Sequence, residues 1–280
     1  MTKTNRTDGE QRPDRAPELL IAVRDLSKIY RRAGGAGRLA ITALDRVSLT
    51  IPAGSIFAMV GESGGGKSTL ARCLALLERP DAGEILFAGR SHASLSRRQR
   101  AAVRRRIQLI FQDPAAAIHP RFSAVEAVEE PLVIQRWADR PARRHRALEL
   151  LAEVGLGQEL AARSTLELSG GQRQRVAIAR ALAAGPRLLI LDEGLAALDL
   201  SIQAQMVNLL LKLRRRYALT YLVISHDLRL VGHLADEVAV MHRGRIVERA
   251  SPRELLTRPR HPAALALVRS MPSAGGAKRG

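Results

Sequence analysis

The stretch SIFAMVGESGGGKSTLARCLALL, Ser55 to Leu77, restricts the fold more than any other part of the chain. An unbroken apolar run with no polar alternation suits a strand covered on both faces, as in a parallel sheet. Four of the next six residues, Gly61 to Gly66, are glycine, which lets backbone curl tightly around a ligand. Lys67 and Ser68 follow, and apolar residues then recur at helical spacing. Strand, glycine loop and helix start together form the Gly-x-x-x-x-Gly-Lys-Ser phosphate grip, because N–H groups at a helix start are unpaired and electropositive. The loop residues Gly61, Glu62, Ser63, Gly64, Gly65 and Gly66, with Lys67, Ser68 and Thr69, are the expected ATP-binding set. Lys67 is expected at the β- and γ-phosphates and Ser68 on Mg²⁺.

The rest of the chain supports an α/β layered fold. Strands are expected at Leu19–Val23, Val47–Ile51, Ile56–Val60, Ile85–Phe87, Ile107–Phe111, Leu188–Leu191, Tyr221–Ile224, Val238–Met241 and Ile246–Val247. Helices are expected at Ser68–Leu77, Val125–Ile134, Pro141–Val154, Gly171–Ala184, Ser201–Tyr217 and Leu228–Leu234. Between about Asp113 and Leu168 no strand is evident, so that block reads as a helical lobe inserted into a sheet domain. Residues 1–18 and the last residues are polar and read as tails, with the main domain at 19–250 and a C-terminal extension and tail at 251–280.

Charge narrows the partners only loosely. Forty-five Lys and Arg against 27 Asp and Glu give +18, a balance that suits nucleic acid, an anionic membrane surface or phosphate ligands. Aromatics are 3%, too few for the interleaved pattern of single-strand binders. The one cysteine, Cys73, excludes an internal disulfide and sits in an apolar helical pattern as a small hydrophobe. No apolar run is long enough to cross a bilayer, so the chain is expected in the cytoplasm, with any membrane role exercised through a partner.

Two carboxylates and two polar side chains complete a candidate ATPase centre. LLILDE places Asp192 and Glu193 at the end of an apolar strand, Asp192 to support Mg²⁺ and Glu193 to activate water as general base. His226 follows the strand YLVIS and could contact the γ-phosphate or the water; Gln112 follows IQLIF and could hold metal or water. A second glycine-rich helix start, LSGGQRQRVAIARAL from Leu168, offers another anion grip about a hundred residues beyond the first.

These motifs, in this order over Leu19 to Glu248, resemble the ATP-binding subunit of an ABC transporter. The resemblance implies a P-loop NTPase sheet core with an inserted helical subdomain and a small antiparallel β region. It also explains the second grip: two such subunits stack head to tail, and Leu168, Ser169, Gly170, Gly171 and Gln172 of one close on the nucleotide held by the other. Tyr30 corresponds to the aromatic that stacks on adenine, Gln112 to the Q-loop glutamine, Ala197, Leu198 and Asp199 to the loop crossing the dimer seam, and His226 to the switch histidine.

FQDPAAAIHPR, LDLSIQAQMVNLLLKL, SHDLRLV and RHPAALALVRSMP resemble the ATPases of oligopeptide, dipeptide and nickel importers, in the half that lacks a cysteine-rich C-terminal segment. The implied partners are a second ATPase subunit, two membrane permeases and, indirectly, an extracytoplasmic solute-binding protein. No nucleic acid is expected. The catalytic motifs alone also suit an exporter ATPase, or a soluble DNA-associated ABC ATPase. Two departures stand out. Gly194 replaces the usual Pro and is expected to loosen the backbone beside Glu193, and Ala197 replaces the usual Ser or Gly.

Overall fold

The computed structural model describes residues 18–34, 37–113, 117–194 and 199–271. In chain order the elements are β1 (Leu19–Gly34), β2 (Gly37–Pro52), β3 (Ile56–Val60), α1 (Lys67–Leu74), β4 (Ala82–Phe87), β5 (Arg90–Ser91), α2 (Arg97–Arg106), β6 (Ile107–Ile110), α3 (Ala124–Ile134), α4 (Arg140–Glu153) and α5 (Gln158–Ala161). They continue with α6 (Gly170–Ala183), β7 (Leu188–Asp192), α7 (Leu200–Tyr217), β8 (Thr220–Ile224), α8 (Leu228–Leu234), β9 (Glu237–His242), β10 (Arg245–Ala250), α9 (Pro252–Thr257) and α10 (Pro262–Arg269).

Two sheets organise these elements. The larger has the order β10-β9-β3-β8-β7-β6, parallel throughout except for β10, which returns antiparallel to β9. The smaller, β2-β1-β4-β5, is antiparallel. Alternation along each central strand sends residues to opposite layers. Phe57, Met59, Leu188, Ile190, Leu222 and Ile224 enter a core shared with the antiparallel sheet and α1. Leu189, Leu191, Tyr221 and Val223 enter a second core filled from α3, α4, α6 and α7. Ala58, Val60, Val238 and Val240 face α8, α9 and α10. Every residue of β3, β7 and β8 is buried, as the unalternating sequence requires.

Helix starts follow hydroxyl and carboxylate caps. Ser96, Ser123, Ser169 and Ser251 each close a capping box with the Gln or Glu three residues on, and Asp139 and Asp199 cap α4 and α7. Between Asp113 and Leu168 the described chain forms α3, α4 and α5, with one isolated bridge from Ser123 to Ser164.

Several elements differ from the sequence reading. The expected strands Leu19–Val23 and Val47–Ile51 are the base of a hairpin that runs to the Gly34–Gly37 pair. Its outer part, rich in Arg and Gly and so without an apolar signal, is paired backbone to backbone. Helix α1 ends three residues early, where Leu76 adopts a left-handed φ of 59°. Glu18, read as tail, is tied down: its carbonyl accepts the Ala53 N–H at 2.7 Å and its carboxylate meets Arg187 at 3.1 Å. The C-terminal extension carries α9 and α10, anchored where the carboxylate of buried Glu248 accepts the N–H groups of Arg260 and His261 at 2.8–3.0 Å. No helix among the described residues is long and apolar enough to cross a membrane.

Two buried groups show how strongly this core excludes charge. Burial pushes the Cys73 thiol up to about 11, which removes its thiolate at neutral pH. Burial, helped by the Arg100 guanidinium, drags His92 from 6.5 to about 4, and neither ring nitrogen has a hydrogen-bond partner among the described residues. The native state therefore holds His92 neutral while the unfolded chain protonates it. That contribution is complete above pH 6.5 and is lost as pH falls toward 4. Urea titrations at pH 7 and pH 5 should show about 2 kcal/mol of stability lost through this group. His92→Leu should flatten that dependence, and an unchanged slope would contradict the buried neutral imidazole.

Candidate nucleotide site

Strand β3 ends at Val60 in the middle of the larger sheet, between β8 and β9. That is where strand order reverses and loops diverge to opposite faces, leaving a crevice at the carboxyl ends. Residues 61–66 fill it and lead directly into α1. The glycines are specific to their surroundings. Gly61 has φ 150°, and a Cβ there would stand 2.1 Å from the Met241 carbonyl oxygen. Gly66 has φ 102°, and its Cβ would stand 2.3 Å from the Ala43 carbonyl oxygen. Gly64, at φ 76°, has nothing within 4 Å, so its glycine answers conformation alone. The Gly244 N–H donates to the Gly65 carbonyl at 3.0 Å, and the Asp45 N–H donates to the Gly244 carbonyl at 2.9 Å. The loop is thus held between β2 and the β9–β10 turn.

Lys67 is 5% exposed. Its ammonium donates to the Gly61 and Glu62 carbonyls, both at 2.8 Å, folded back over the loop. Burial lowers its pKa, while Glu193 and Asp192 favour the charged form. Ser68 Oγ donates to Asp192 Oδ1 at 3.0 Å, which joins α1 to the end of β7. Burial raises the Asp192 pKa and the Ser68 hydrogen bond opposes it. A hydroxyl and a carboxylate oxygen side by side are hard donors that fit Mg²⁺, which binds through few protein oxygens and keeps its waters. Gln112, two residues past β6, is exposed and lies outside this hydrogen-bonded pair.

Glu193 leaves β7 in a left-handed conformation, φ 54°, its N–H donating to the Ile224 carbonyl at 3.0 Å. Such a φ costs a non-glycine residue about 1–2 kcal/mol and here turns the chain at the strand end. Its carboxylate lies 4.0 Å from Nδ1 of His226, whose side chain is largely exposed. Gly194 lies outside the left-handed region, and a Cβ there would stand 2.7 Å from Nε2 of Gln174, the far end of a flexible side chain.

Tyr30 is mid-strand in β1, opposite Ile41. Its hydroxyl donates to Glu78, which also accepts Arg72 Nε at 2.6 Å, and the Lys28 ammonium lies 5.7 Å from its ring centre. Tyr30 as a whole is 37% exposed, open enough to stack on a flat ligand. The other glycine-rich start belongs to α6, which packs on α3 and α4. Leu168 is buried, Ser169 and Gly170 are exposed, and Ser169 and Gln172 hydrogen-bond reciprocally at 3.3 and 2.9 Å. Gly171 faces Ile202 at the start of α7; a Cβ would be 3.0 Å from its Cγ2. Asp199 caps α7, whereas Ala197 and Leu198 lie outside the described residues.

The profile of the ABC transporter family matches residues 44–196. The chain belongs to this family. ABC relatives over most of its length include a putative peptide import ATP-binding protein of Brucella ovis, 44% identical over 254 residues, spanning 91% of this chain and 79% of the relative. The di/tripeptide transport ATP-binding protein DppF of Pseudomonas aeruginosa is 41% identical across 91% of this chain and 80% of its own. Among solved structures, the dimeric post-hydrolysis ATP-binding cassette MJ0796 bound to ADP and Pi superposes with a TM-score of 0.74 at 31% identity, covering 83% of this chain and 99% of that one. The fold of this ABC chain is therefore that of the ATP-binding cassettes.

Residues that sequence reasoning missed are those that shape the ABC loop from outside: Ala43, Met241 and Gly244 through their backbones, Glu78 beside Tyr30, and Gln174 beside Gly194. Only Gly244, in the turn HRGR between two apolar strands, carried a local signal. The clash distances set an order of damage. Gly61→Ala and Gly66→Ala should each cost about 3 kcal/mol or more, since rigid carbonyls occupy the added carbon's place. Gly64→Ala should cost only about 1–2 kcal/mol, from its φ alone. Urea midpoints of the three variants check this, and equal losses would contradict the clamp.

Proposed function

We propose that this chain is the ATP-hydrolysing subunit of an ABC importer for peptides, acting in a pair of ATPase subunits on the cytoplasmic side of two membrane permeases. The observation that carries the reading is the junction of Lys67, Ser68, Asp192 and Glu193 at one sheet edge, with an exposed second anion grip on a separate element. Relatives matched over 91% of the chain are named for peptides, including the oligopeptide transport ATP-binding protein AppF of Bacillus subtilis, which favours peptides over nickel.

Each residue then has a task. The backbone of residues 61–66 cradles the phosphates, and Lys67 exchanges two carbonyl oxygens for the β- and γ-phosphates. The adenine stacks on Tyr30. Ser68 and Asp192, with Gln112 brought in from its exposed loop, would hold Mg²⁺, which supplies charge neutralisation at the phosphates. Glu193 takes a proton from water as the water oxygen bonds to the γ-phosphorus and the bond to the β-phosphate oxygen breaks, yielding ADP and phosphate. His226 steadies the γ-phosphate or the water beside Glu193. Ser169, Gly170 and Gly171, flanked by Leu168 and Gln172, close on the partner's γ-phosphate, with Asp199 at the seam. Loss of the γ-phosphate removes the charged link between subunits, and the separation is passed to the permeases.

Glu193→Gln should keep ATP affinity, cut turnover at least about a hundredfold, and hold the pair together on a sizing column in Mg-ATP. Lys67→Ala should weaken ATP binding about tenfold or more, through loss of a charge-assisted contact. Rapid hydrolysis by the first variant would remove Glu193 from its role, and unchanged affinity in the second would remove Lys67.

A further inference from the structure

Helix α1 begins at the phosphate loop, and the segment after its end, residues 75–81, returns along β1. Three hydrogen bonds lace that segment to the strand. The Asp81 N–H donates to the Ser27 carbonyl at 2.8 Å, and the Ile29 N–H donates to Asp81 Oδ2 at 2.7 Å. The Lys28 ammonium donates to the Arg79 carbonyl at 2.8 Å. The strand that carries Tyr30 is therefore registered on the tail of the helix whose head carries Lys67 and Ser68.

A registered backbone does not by itself fix an aromatic ring, because an exposed side chain can still exchange rotamers. The end of Tyr30 is held as well. Its hydroxyl donates to one oxygen of the Glu78 carboxylate, and the other oxygen accepts Arg72 Nε at 2.6 Å. Glu78 rests on Arg72 twice, since its own N–H donates to the Arg72 carbonyl at 3.2 Å. Arg72 Nη2 donates in turn to Thr69 Oγ1 at 3.4 Å, one helical turn back toward the phosphate loop. An ionised acceptor shared by a phenol and a guanidinium is a stronger anchor than a neutral one.

We infer that Glu78, braced by Arg72, is a positioning residue for the nucleotide base: it fixes the Tyr30 ring in the plane on which the base stacks. This role rests on the stacking of adenine on Tyr30 proposed above. The ring is ordered before the nucleotide arrives, so binding does not bear the cost of ordering it. One helix then serves both ends of the ligand, gripping phosphates at its start and supporting the base platform beyond its end. The contact lies away from the reacting phosphate and belongs to binding, so it acts on KM rather than kcat.

The test measures affinity for ATP beside that for inorganic triphosphate, which has no base. Glu78→Ala should weaken ATP binding about three- to tenfold, raise KM by a similar factor with kcat nearly unchanged, and leave triphosphate affinity as it was. Tyr30→Phe removes only the hydroxyl and leaves Glu78 on Arg72; it should show the same loss, and the double variant should bind no more weakly than either single one. Tyr30→Ala should weaken ATP binding further, through loss of the stacking face. Equal weakening of ATP and triphosphate by Glu78→Ala would overturn the inference, as would multiplying losses in the double variant or wild-type ATP affinity in Tyr30→Phe. Wild-type ATP affinity in Tyr30→Ala would instead remove the stacking of adenine on Tyr30 itself.

Discussion

The phosphate loop is shaped by contacts that its own residues do not supply, and the rest of the site depends on that clamp. Carbonyl oxygens of Met241 and Ala43 press where side chains of residues 61 and 66 would begin, and Gly244 bonds Gly65 from the far side. Backbone atoms cannot give way as a flexible side chain can. The loop is therefore fixed before any ligand arrives, and so is the direction in which α1 leaves the sheet. Because α1 carries Ser68 to Asp192, the clamp also sets the distance between the loop and β7.

Electrostatics at this edge are balanced in advance of binding. An ammonium as buried as that of Lys67 loses hydration, and two nearby carboxylates with two carbonyl acceptors compensate for the loss. A polyphosphate brings negative charge to the same place and can replace those carbonyls. Asp192, pushed toward its neutral form by burial, gains from any added cation. The site thus favours an anion and a metal arriving together.

The second grip begins α6, which packs on α3, α4 and the β6 side of the larger sheet, whereas the loop is bound to β2 and the β9–β10 turn. That helix start is exposed at Ser169 and Gly170, with the Gln172 N–H donating to the Ser169 hydroxyl.

The sequence by itself determined the central strands, the helix starts and the residue types that meet at the proposed site. Unbroken apolar runs, capping boxes and the glycine–lysine–serine spacing are local signals, and each is written in a few adjacent residues. Phosphate loop, carboxylate strand end and second glycine-rich helix start were legible for that reason. Only the tertiary structure decided the length of the β1–β2 hairpin, the docking of the C-terminal helices on Glu248, and the clamp of the Met241 and Ala43 carbonyls on Gly61 and Gly66. Those depend on which atoms meet across the chain: a strand held by its neighbour's backbone, a carboxylate receiving distant N–H groups, a glycine kept bare by a distant carbonyl. Such contacts leave no periodicity or motif behind, because the forces that make them act between segments rather than within one.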